Sequence, residues 1–353
     1  MELNKQKEKE KESMDILYSS SDSYAFLTGI SILSLLENNK SCDRIHIYIM
    51  DNHISAENKD KLVEVVNNYG RQISFVPMPD MKELTGQEID TRRWNISTFG
   101  RLYMASALPE TVHKVLNIDC DTIIVDSIEP LWNTDMSGKV FGGMLECIND
   151  RYRRNVGKNN GDYYMNGGIV FLNLDEVRTG GYEKKFTDYI AKYGSGLAYL
   201  DQDVLNGVVE QNKKMKLPMR YNVLSIYFYA TYEQLLKIRR SKKEAFYSKE
   251  EFVQSIKNPG IVHFTTCFLD GLRPWIKGNQ HPCLKQFLEY KKMSPWKNVS
   301  LEEDKRSNAV KFRSMLIKKS PRFALCELAS ILHGVIIPEK NYKRMKKREK
   351  GND

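Results

Sequence analysis

"MDILYSSSDSYAFLTGISILSLLENN", residues 14–39, joins a short apolar run, a polar turn and a long segment whose apolar residues recur at helical spacing. A short apolar run bounded by polar residues predicts a buried strand, and apolar residues three and four apart predict a helix. "IHIYIM" (residues 45–50) and "QISFVPM" (residues 72–78) predict two further strands. "SAENKDKLVEVVNNYG" (residues 55–70) predicts the helix between them, with Ser55 as its N-cap. This alternation predicts a mainly parallel sheet covered by helices.

The alternation continues along the chain to about residue 296. It predicts helices over residues 101–108 and 182–193, a helix that begins at residue 201, and strands over residues 115–118, 140–144, 169–174 and 261–264. Because no change in composition divides residues 14–296, we expect one α/β domain there. Residues 1–13 are rich in Lys and Glu and predict a disordered extension, whereas residues 297–353 predict a basic helical tail.

Composition indicates a globular protein with a sizeable core, because 41% of its 353 residues are apolar and 28% are charged. The six cysteines are scattered and form no CxxC pair, which argues against a disulfide framework or a zinc ribbon and favours a reducing cytosol. The charged first residues do not resemble a secretory signal. We therefore expect a cytoplasmic protein.

The net charge of +9 is concentrated in the tail, since residues 301–353 contain fourteen Lys and Arg against seven Asp and Glu. A nucleic-acid-binding protein would more often carry its basic surface on the folded body and would interleave it with aromatic residues. We therefore expect no nucleic-acid partner. Two interpretations of the tail remain open: a basic, partly disordered terminus, or a segment that binds an anionic membrane surface.

Two carboxylates, Asp119 and Asp121, interrupt the apolar stretch "VLNIDCDTIIVDSIEPLW" (residues 115–132) at the end of a predicted strand. Buried carboxylates need compensation, and two carboxylates one residue apart on an extended chain project from the same side. Their oxygens suit Mg²⁺ or Mn²⁺, and an added imidazole would favour Mn²⁺. The tripeptide is common, however, and two surface turn aspartates are the alternative.

Four other segments can contribute to a site, because ligands of doubly wound sheets bind outside the carboxyl ends of the strands. "YSSSDSY" (residues 18–24) follows the first strand and is either part of that site or an ordinary turn and helix cap. No GxGxxG or GKS/T pattern occurs, which argues against dinucleotide and P-loop sites. The others are "YYMNGGIVFLNLD" (residues 163–175), "YLDQDVLNGV" (residues 199–208) and "IVHFTTCFLDGLRPWIKG" (residues 261–278).

Together with "STFGRLYMASALPE" (residues 97–110), and in their order along the chain, these segments resemble glycosyltransferase family 8, the retaining, metal-dependent nucleotide-sugar transferases. The resemblance covers roughly residues 14–296. It implies a GT-A fold, a Rossmann-like and mainly parallel sheet flanked by helices. It also implies a UDP-sugar donor and Mn²⁺ as cofactor, with Mg²⁺ as the alternative.

The resemblance also implies roles for individual residues. The metal ligands would be Asp119, Asp121 and His263, and the catalytic residues Gln202 and Asp201. The donor-binding residues would be Ser19, Ser21, Asp22, Tyr24, Arg101, Asn166, Gly167 and Arg273.

Two departures from the family pattern affect these roles. Ser21 stands where the family has Asp, so we expect the uracil contact to pass to Asp22 or to the backbone. The stretch between His263 and Arg273 is longer than in the family, and Arg273 takes the place of a residue that is usually Lys.

The expected function is that of a retaining hexosyltransferase. It would move glucose or galactose from a UDP-sugar to a hydroxyl of a glycan, glycolipid or glycoprotein, for instance in cell-surface polysaccharide synthesis. Gln202 is a poor nucleophile, which favours front-face transfer, and a covalent route through Asp201 stays open. The alternatives are a metal-dependent UDP-sugar hydrolase and, less favoured, a nucleic-acid binder. Its location would be the cytoplasm, free or peripheral on the inner face of the cell membrane.

Overall fold

The computed structural model describes residues 13–89, 91, 96–269 and 272–350, so the predicted extension over residues 1–13 lies outside it except for Ser13. The strands are β1 (Met14–Ser21), β2 (Ile45–Asn52), β3 (Gln72–Pro77), β4 (Lys114–Ile118), β5 (Thr122–Ile124), β6 (Phe141–Leu145), β7 (Met165–Asn173), β8 (Lys214–Lys216), β9 (Val223–Leu224) and β10 (Ile261–His263). The α-helices are α1 (Ala25–Asn38), α2 (Ala56–Asn67), α3 (Met81–Thr85), α4 (Met104–Ala107), α5 (Glu129–Trp132), α6 (Asp150–Asn155), α7 (Leu174–Thr179), α8 (Tyr182–Tyr193), α9 (Leu200–Val208), α10 (Tyr232–Arg239), α11 (Lys249–Lys257), α12 (Leu284–Met293), α13 (Asn308–Lys319), α14 (Arg322–Ile331) and α15 (Ile337–Glu349).

The main sheet has seven strands in the order β3-β2-β1-β4-β7-β6-β8. β1 pairs in parallel with β2 and β4, whereas β7 runs antiparallel to β4 and β6. The strands β5, β10 and β9 form a second, smaller sheet in that order. The predicted α/β fold with a mainly parallel sheet flanked by helices is confirmed.

Strand register determines which side chains meet at the carboxyl edge of the main sheet. β1 and β4 are parallel neighbours, with Ile16 opposite Leu116, so both strands end at the same edge. In the second sheet β10 pairs antiparallel with β5 and sets His263 opposite Thr122. This pairing brings a residue from late in the chain next to the segment that follows β4.

The helix predicted over residues 101–108 differs from the structure in type and position. The chain forms a 3-10 helix over Ile96–Tyr103 and then the short helix α4. A Cβ atom at Gly100 would lie 2.8 Å from Cγ of Met50 and 2.9 Å from Sδ of Met78. The tighter helix therefore forms where the chain lies directly against side chains from the ends of β2 and β3.

The C-terminal region is helical, as predicted, and two of its helices pack on the rest of the protein. α14 contacts α10, and α15 contacts α6 and α8. Met345 of α15 is buried, and Glu339 forms ion pairs with Arg151 and Arg154 of α6. Across the described residues, every helix is too short or too polar to cross a bilayer.

Helix α1 is buried on nearly all sides, which is typical of a helix that lies inside a core. One of its covers is Trp296, which follows α12 in the sequence. A Cβ atom at Gly29 would lie 2.1 Å from Cζ3 and 2.6 Å from Cη2 of the Trp296 ring. The indole nitrogen of Trp296 donates to Oδ1 of Asn58 in α2, 3.1 Å away. Helix α1 therefore packs directly against Trp296, which lies at the end of the domain predicted over residues 14–296.

We expect Gly29→Ala to lower the free energy of unfolding by about 1–3 kcal/mol, because the added methyl group overlaps the ring of Trp296. Chemical denaturation measures this change. The control is Gly29→Ala combined with Trp296→Leu, in which the alanine should cost less than it does beside the tryptophan. Equal costs in both backgrounds would contradict the proposed overlap.

Candidate active site

Three side chains that can bind a metal ion meet at the carboxyl edge of the main sheet. Asp119 and Asp121 lie between β4 and β5, and His263 ends β10. The Nε2 atom of His263 is 3.1 Å from Oδ1 of Asp121 and 3.7 Å from Oδ2 of Asp119. The three ligand atoms lie within 4.8 Å of one another. Two carboxylates and one imidazole suit a divalent cation, so these residues fit the expected metal site.

A chain of hydrogen bonds fixes the orientation of His263. The backbone N–H of Gly168 donates to Oδ1 of Asn166 at 2.8 Å, and Asn222 Nδ2 donates to the same oxygen at 2.8 Å. Oδ1 of Asn222 then faces Nδ1 of His263 at 3.0 Å. Because the Gly168 N–H can only donate, the chain requires the proton of the imidazole on Nδ1. In the neutral imidazole, Nε2, which faces the aspartates, would therefore carry the lone pair for a metal, whereas in the charged imidazole it carries a second proton.

The backbone at Gly168 lies so close to His263 that only glycine fits there. A Cβ atom would lie 2.3 Å from Cε1 and 2.4 Å from Nδ1 of the imidazole. The backbone N–H of Asp119 also donates to the carbonyl of Gly168 at 2.8 Å. Gly168 of β7 therefore leaves room for the imidazole of His263 and also holds the backbone of Asp119 by a hydrogen bond.

Burial and ion pairing act in opposite directions on the titration of the metal-binding residues. Burial favours the neutral carboxyl group of Asp121, but His263 and Arg273 outweigh burial and lower its pKa. Burial likewise disfavours a charged imidazole, but Asp121 and Asp119 outweigh it and raise the pKa of His263. A divalent cation would compete with that imidazole proton for the same nitrogen.

Arg101 connects the metal-binding aspartates to the start of α9. Its side chain is only 4% exposed. Nη2 lies 2.5 Å from Oδ1 of Asp119, Nε lies 3.2 Å from Oδ2 of Asp201, and Nη1 donates to the carbonyl of Gly167. One buried guanidinium thus compensates two carboxylates. Burial still raises the pKa of Asp201 to about 7, although Arg101 lowers it.

Gln202 lies next to Gly167 of β7, and both polar atoms of its amide group form hydrogen bonds. Its Oε1 accepts from the backbone N–H of Gly167 at 2.8 Å, and Nε2 donates to the hydroxyl of Tyr164 at 3.2 Å. Asp203, also in α9, accepts from the backbone N–H groups of Ala198 and Tyr199, each at 2.8 Å. Asp203 therefore stabilises the start of α9, whereas Asp201 and Gln202 face Arg101 and Gly167.

Arg273 also approaches the metal-binding side chains, from the chain segment that follows β10. Its Nη1 atom lies 3.5 Å from Oδ2 of Asp121, and its guanidinium carbon lies 5.2 Å from the centroid of the Trp275 ring. A cation in this position can neutralise an anionic ligand beside the metal site.

The serine-rich end of β1 reaches the same edge of the sheet. The thiol of Cys120 donates to the carbonyl of Ser19 at 3.1 Å, which places Ser19 beside the aspartates. The Ser19 hydroxyl is buried and has no hydrogen-bond partner within the described structure. Ser21 lies 3.2 Å from Ser23, hydroxyl to hydroxyl, and Tyr24 is 37% exposed.

Asp22 is instead engaged with the beginning of α2. Its Oδ1 accepts from the backbone N–H of Ser55 at 2.9 Å and from Nδ2 of Asn58 at 2.8 Å. These hydrogen bonds lower the pKa of Asp22 to about 2. Asp22 therefore stabilises the start of α2. At the helix that directly follows the segment, neither Ser21 nor Tyr24 forms a side-chain cap hydrogen bond.

Two residues of the site were not predicted from the sequence. Asn222 is a single asparagine before the two-residue strand β9, yet it orients His263. Glu146 follows β6 and accepts from Nδ2 of Asn166 at 2.6 Å. Both act through contacts between segments far apart in the chain, which no local pattern encodes.

Comparison with known proteins identifies the family to which the chain is similar. The model of "Glycosyl transferase family 8" matches residues 15–277. A putative glycosyltransferase of Haemophilus influenzae is 28% identical over 58% of this chain, which spans 61% of that relative. A lipopolysaccharide 1,2-glucosyltransferase of Escherichia coli is 22% identical over 90% of this chain and 91% of its own length.

A solved structure resembles this chain over most of its length. The galactosyltransferase LgtC, crystallised with donor and acceptor sugar analogues, superposes with a TM-score of 0.65 at 20% identity. The similarity covers 85% of this chain and all of LgtC. It confirms the expected GT-A fold.

We expect Asn222→Ala to weaken Mn²⁺ binding by about 10–100-fold, because the variant frees the imidazole of His263 from its hydrogen-bonded orientation. Titration calorimetry measures the affinity. Asn39→Ala is the matched control, since Asn39 is equally buried and hydrogen-bonded but accepts from the backbone of Ile128 instead. Unchanged affinity in Asn222→Ala would show that His263 is not held, or not used, in this way.

Proposed function

The chain belongs to glycosyl transferase family 8, and from that premise we propose that it is a retaining hexosyltransferase. It moves glucose or galactose from a UDP-sugar to a hydroxyl of a glycan, glycolipid or glycoprotein acceptor. The observation that carries this proposal is the convergence of Asp119, Asp121 and His263 at the carboxyl edge of the sheet. The names of two relatives, a glucosyltransferase and a galactosyltransferase, support a hexose as the transferred group.

We assign the donor to the edge of the sheet where β1 and β4 end and β7 begins. The uridine contacts Ser19, Ser21, Asp22 and Tyr24, and the orphaned hydroxyl of Ser19 supports a ligand there. The sugar contacts Arg101, Asn166 and Gly167. The diphosphate lies next to the guanidinium of Arg273, which approaches Asp121.

Mn²⁺ is the proposed cofactor, with Mg²⁺ as the alternative, since an imidazole beside two carboxylates favours the softer ion. When bound, it supplies positive charge that stabilises the diphosphate as the bond to the sugar breaks. Arg273 supplies a second positive group to the same leaving group. The proposed location is the cytoplasm, which is consistent with six free cysteines and no disulfide among the described residues.

Retention of configuration follows from a front-face transfer in this proposal. The amide oxygen of Gln202 accepts from the backbone N–H of Gly167. In this proposal the remaining lone pair of that oxygen stabilises the positive charge that develops on the sugar. Asp201 is buried, paired with Arg101, and partly protonated near neutral pH because its pKa is about 7, so it is a weak nucleophile. The acceptor hydroxyl therefore attacks from the side of the departing phosphate, which takes the proton.

The proposal is tested by a donor panel in which release of UDP is measured for several nucleotide sugars, with and without Mn²⁺. We expect turnover of UDP-glucose or UDP-galactose that requires the metal and rises when acceptor is added. Asp121→Asn should lower kcat by about 100-fold or more, because it weakens the metal site and the stabilisation of the diphosphate.

Two results of that panel would contradict the proposal. Full turnover in the presence of a chelator would show that the reaction does not require the metal. Rapid release of UDP that no acceptor accelerates would make the protein a UDP-sugar hydrolase. Lys285→Gln, a substitution at an exposed residue of α12, is the control for Asp121→Asn and should leave turnover unchanged.

The role of Gln202 is tested by comparing Gln202→Ala with Asp201→Asn. Gln202→Ala should lower kcat by about 10–100-fold with little change in the affinity for UDP, because it removes a contact that matters in the transition state. Mass spectrometry of the enzyme during turnover checks for a sugar adduct. Near-normal turnover in Gln202→Ala, together with an adduct that Asp201→Asn abolishes, would establish the covalent route instead.

A further inference from the structure

The chain between His263 and Arg273 joins two residues of the candidate site. His263 faces the metal-binding aspartates, and Arg273 approaches Asp121 from the other end of this stretch. Nine residues lie between them, residues 264–272, a length that allows a free loop many conformations. The contacts that fix the path of this stretch therefore decide where Arg273 can reach.

Both ends of the stretch are held by backbone hydrogen bonds. At its beginning the N–H of Phe264 donates to the carbonyl of Asp121 at 2.8 Å. Just after its end the N–H of Glu302 donates to the carbonyl of Trp275, two residues beyond Arg273, at 2.8 Å. These bonds do not fix the residues in the middle.

The middle of the stretch is anchored by apolar side chains. Cys267 and Leu269 are each only 5% exposed and belong to the main core. Phe268, between them, is half-buried and packs on a smaller cluster that contains Cys326 and Ala329 of α14. A residue from the helices near the C-terminus therefore contacts the stretch that leads to Arg273.

His333 makes the second contact with Phe268 from the same region. The two rings are stacked, with centroids 4.9 Å apart and an angle of 29° between their planes. Burial and the nearby Arg239 lower the pKa of His333 to about 4, so its imidazole is uncharged at neutral pH. Stacked aromatic pairs stabilise a contact beyond the burial of their surface.

The backbone that carries His333 is itself held in place. His333 lies in a turn of π-helix over Leu332–Ile336, a rare conformation that occurs frequently at functional sites. Nδ2 of Asn149, the N-cap of α6, donates to the carbonyl of Gly334 at 2.9 Å. A Cβ atom at Gly334 would lie 2.7 Å from Cγ of Arg240, so the end of α10 lies directly against this turn. His333 is therefore a fixed support for the ring of Phe268.

We propose that the stack of Phe268 on His333 positions Arg273 for the diphosphate of the donor. His333 is a positioning residue in this inference, since it acts on the donor only through Arg273. An anchor five residues before Arg273 restricts the conformations of the chain that leads to it, so less ordering is needed when the donor binds. The inference rests on the proposed function, which assigns the diphosphate contact to Arg273.

The test is titration calorimetry of UDP with the full-length chain in the presence of Mn²⁺. His333→Ala should weaken the binding of UDP by about 3–10-fold, the range that loss of one aromatic pair predicts. The affinity for Mn²⁺ alone should stay unchanged, because the pairing of β10 with β5 and the contact with Asn222 still hold His263. His333→Phe, which keeps a ring beside Phe268, should restore the affinity for UDP.

His46→Ala is the matched control. The imidazole of His46 is also half-buried and stacked on an aromatic ring, that of Tyr48, with centroids 4.0 Å apart. It lies at the start of β2, whereas the candidate site lies at the carboxyl edge of the sheet. His46→Ala should therefore leave the affinity for UDP unchanged.

Arg273→Gln separates positioning from a general loss of stability. If His333 acts through Arg273, His333→Ala should add little to the loss of UDP affinity that Arg273→Gln causes. Hydrogen exchange without any ligand examines the anchor itself. His333→Ala should speed exchange of the backbone amides over residues 264–269, and His46→Ala should not.

Three results would overturn the inference: unchanged UDP affinity in His333→Ala, losses that add in the double variant, or unchanged exchange over residues 264–269. Failure of His333→Phe to restore binding would also overturn it. Absence of UDP binding by the unaltered protein would instead overturn the proposed function, and this inference with it. Failure of the anchor alone leaves UDP binding by the unaltered protein intact, so the two failures are distinguishable.

Discussion

The site depends on compensation of carboxylates that the fold places at the edge of an apolar sheet. Arg101, itself buried, faces Asp119 on one side and Asp201 on the other, while His263 and Arg273 face Asp121. An unpaired buried charge costs several kcal/mol, so each cation stabilises the folded protein in addition to any contact it makes with a ligand. Loss of one partner would leave the other groups uncompensated.

This arrangement explains why so much of the site is built from backbone contacts. The carbonyl of Gly168 accepts from Asp119, the carbonyl of Gly167 accepts from Arg101, and the backbone N–H of Gly167 donates to Gln202. Backbone groups supply polar contacts without adding side-chain volume. At Gly168 this matters most, because the imidazole of His263 occupies the space a side chain would need.

The sequence predicted the elements well because their signals are local. The helix over Tyr182–Tyr193 and the strand–helix alternation of the first eighty residues follow from apolar spacing and caps. These local signals do not predict which distant segments of the chain pair with each other. The contact of His263 with Asp121 follows from the β5–β10 register, and it was expected only through resemblance to a family. Asn222 and Glu146 were missed for the same reason, and charge in the tail did not reveal that α14 and α15 pack on the body.

The contact between Trp296 and Gly29 has a consequence for how the protein is made. On the ribosome, α1 and the strands around it emerge early, yet the ring that covers α1 at Gly29 is synthesised only after most of the chain. Until then the nascent protein exposes part of an apolar helix that is buried in the folded protein. Completion of the first structural unit therefore has to wait for nearly the last residue of the body, which makes the partly synthesised chain a natural client for chaperones.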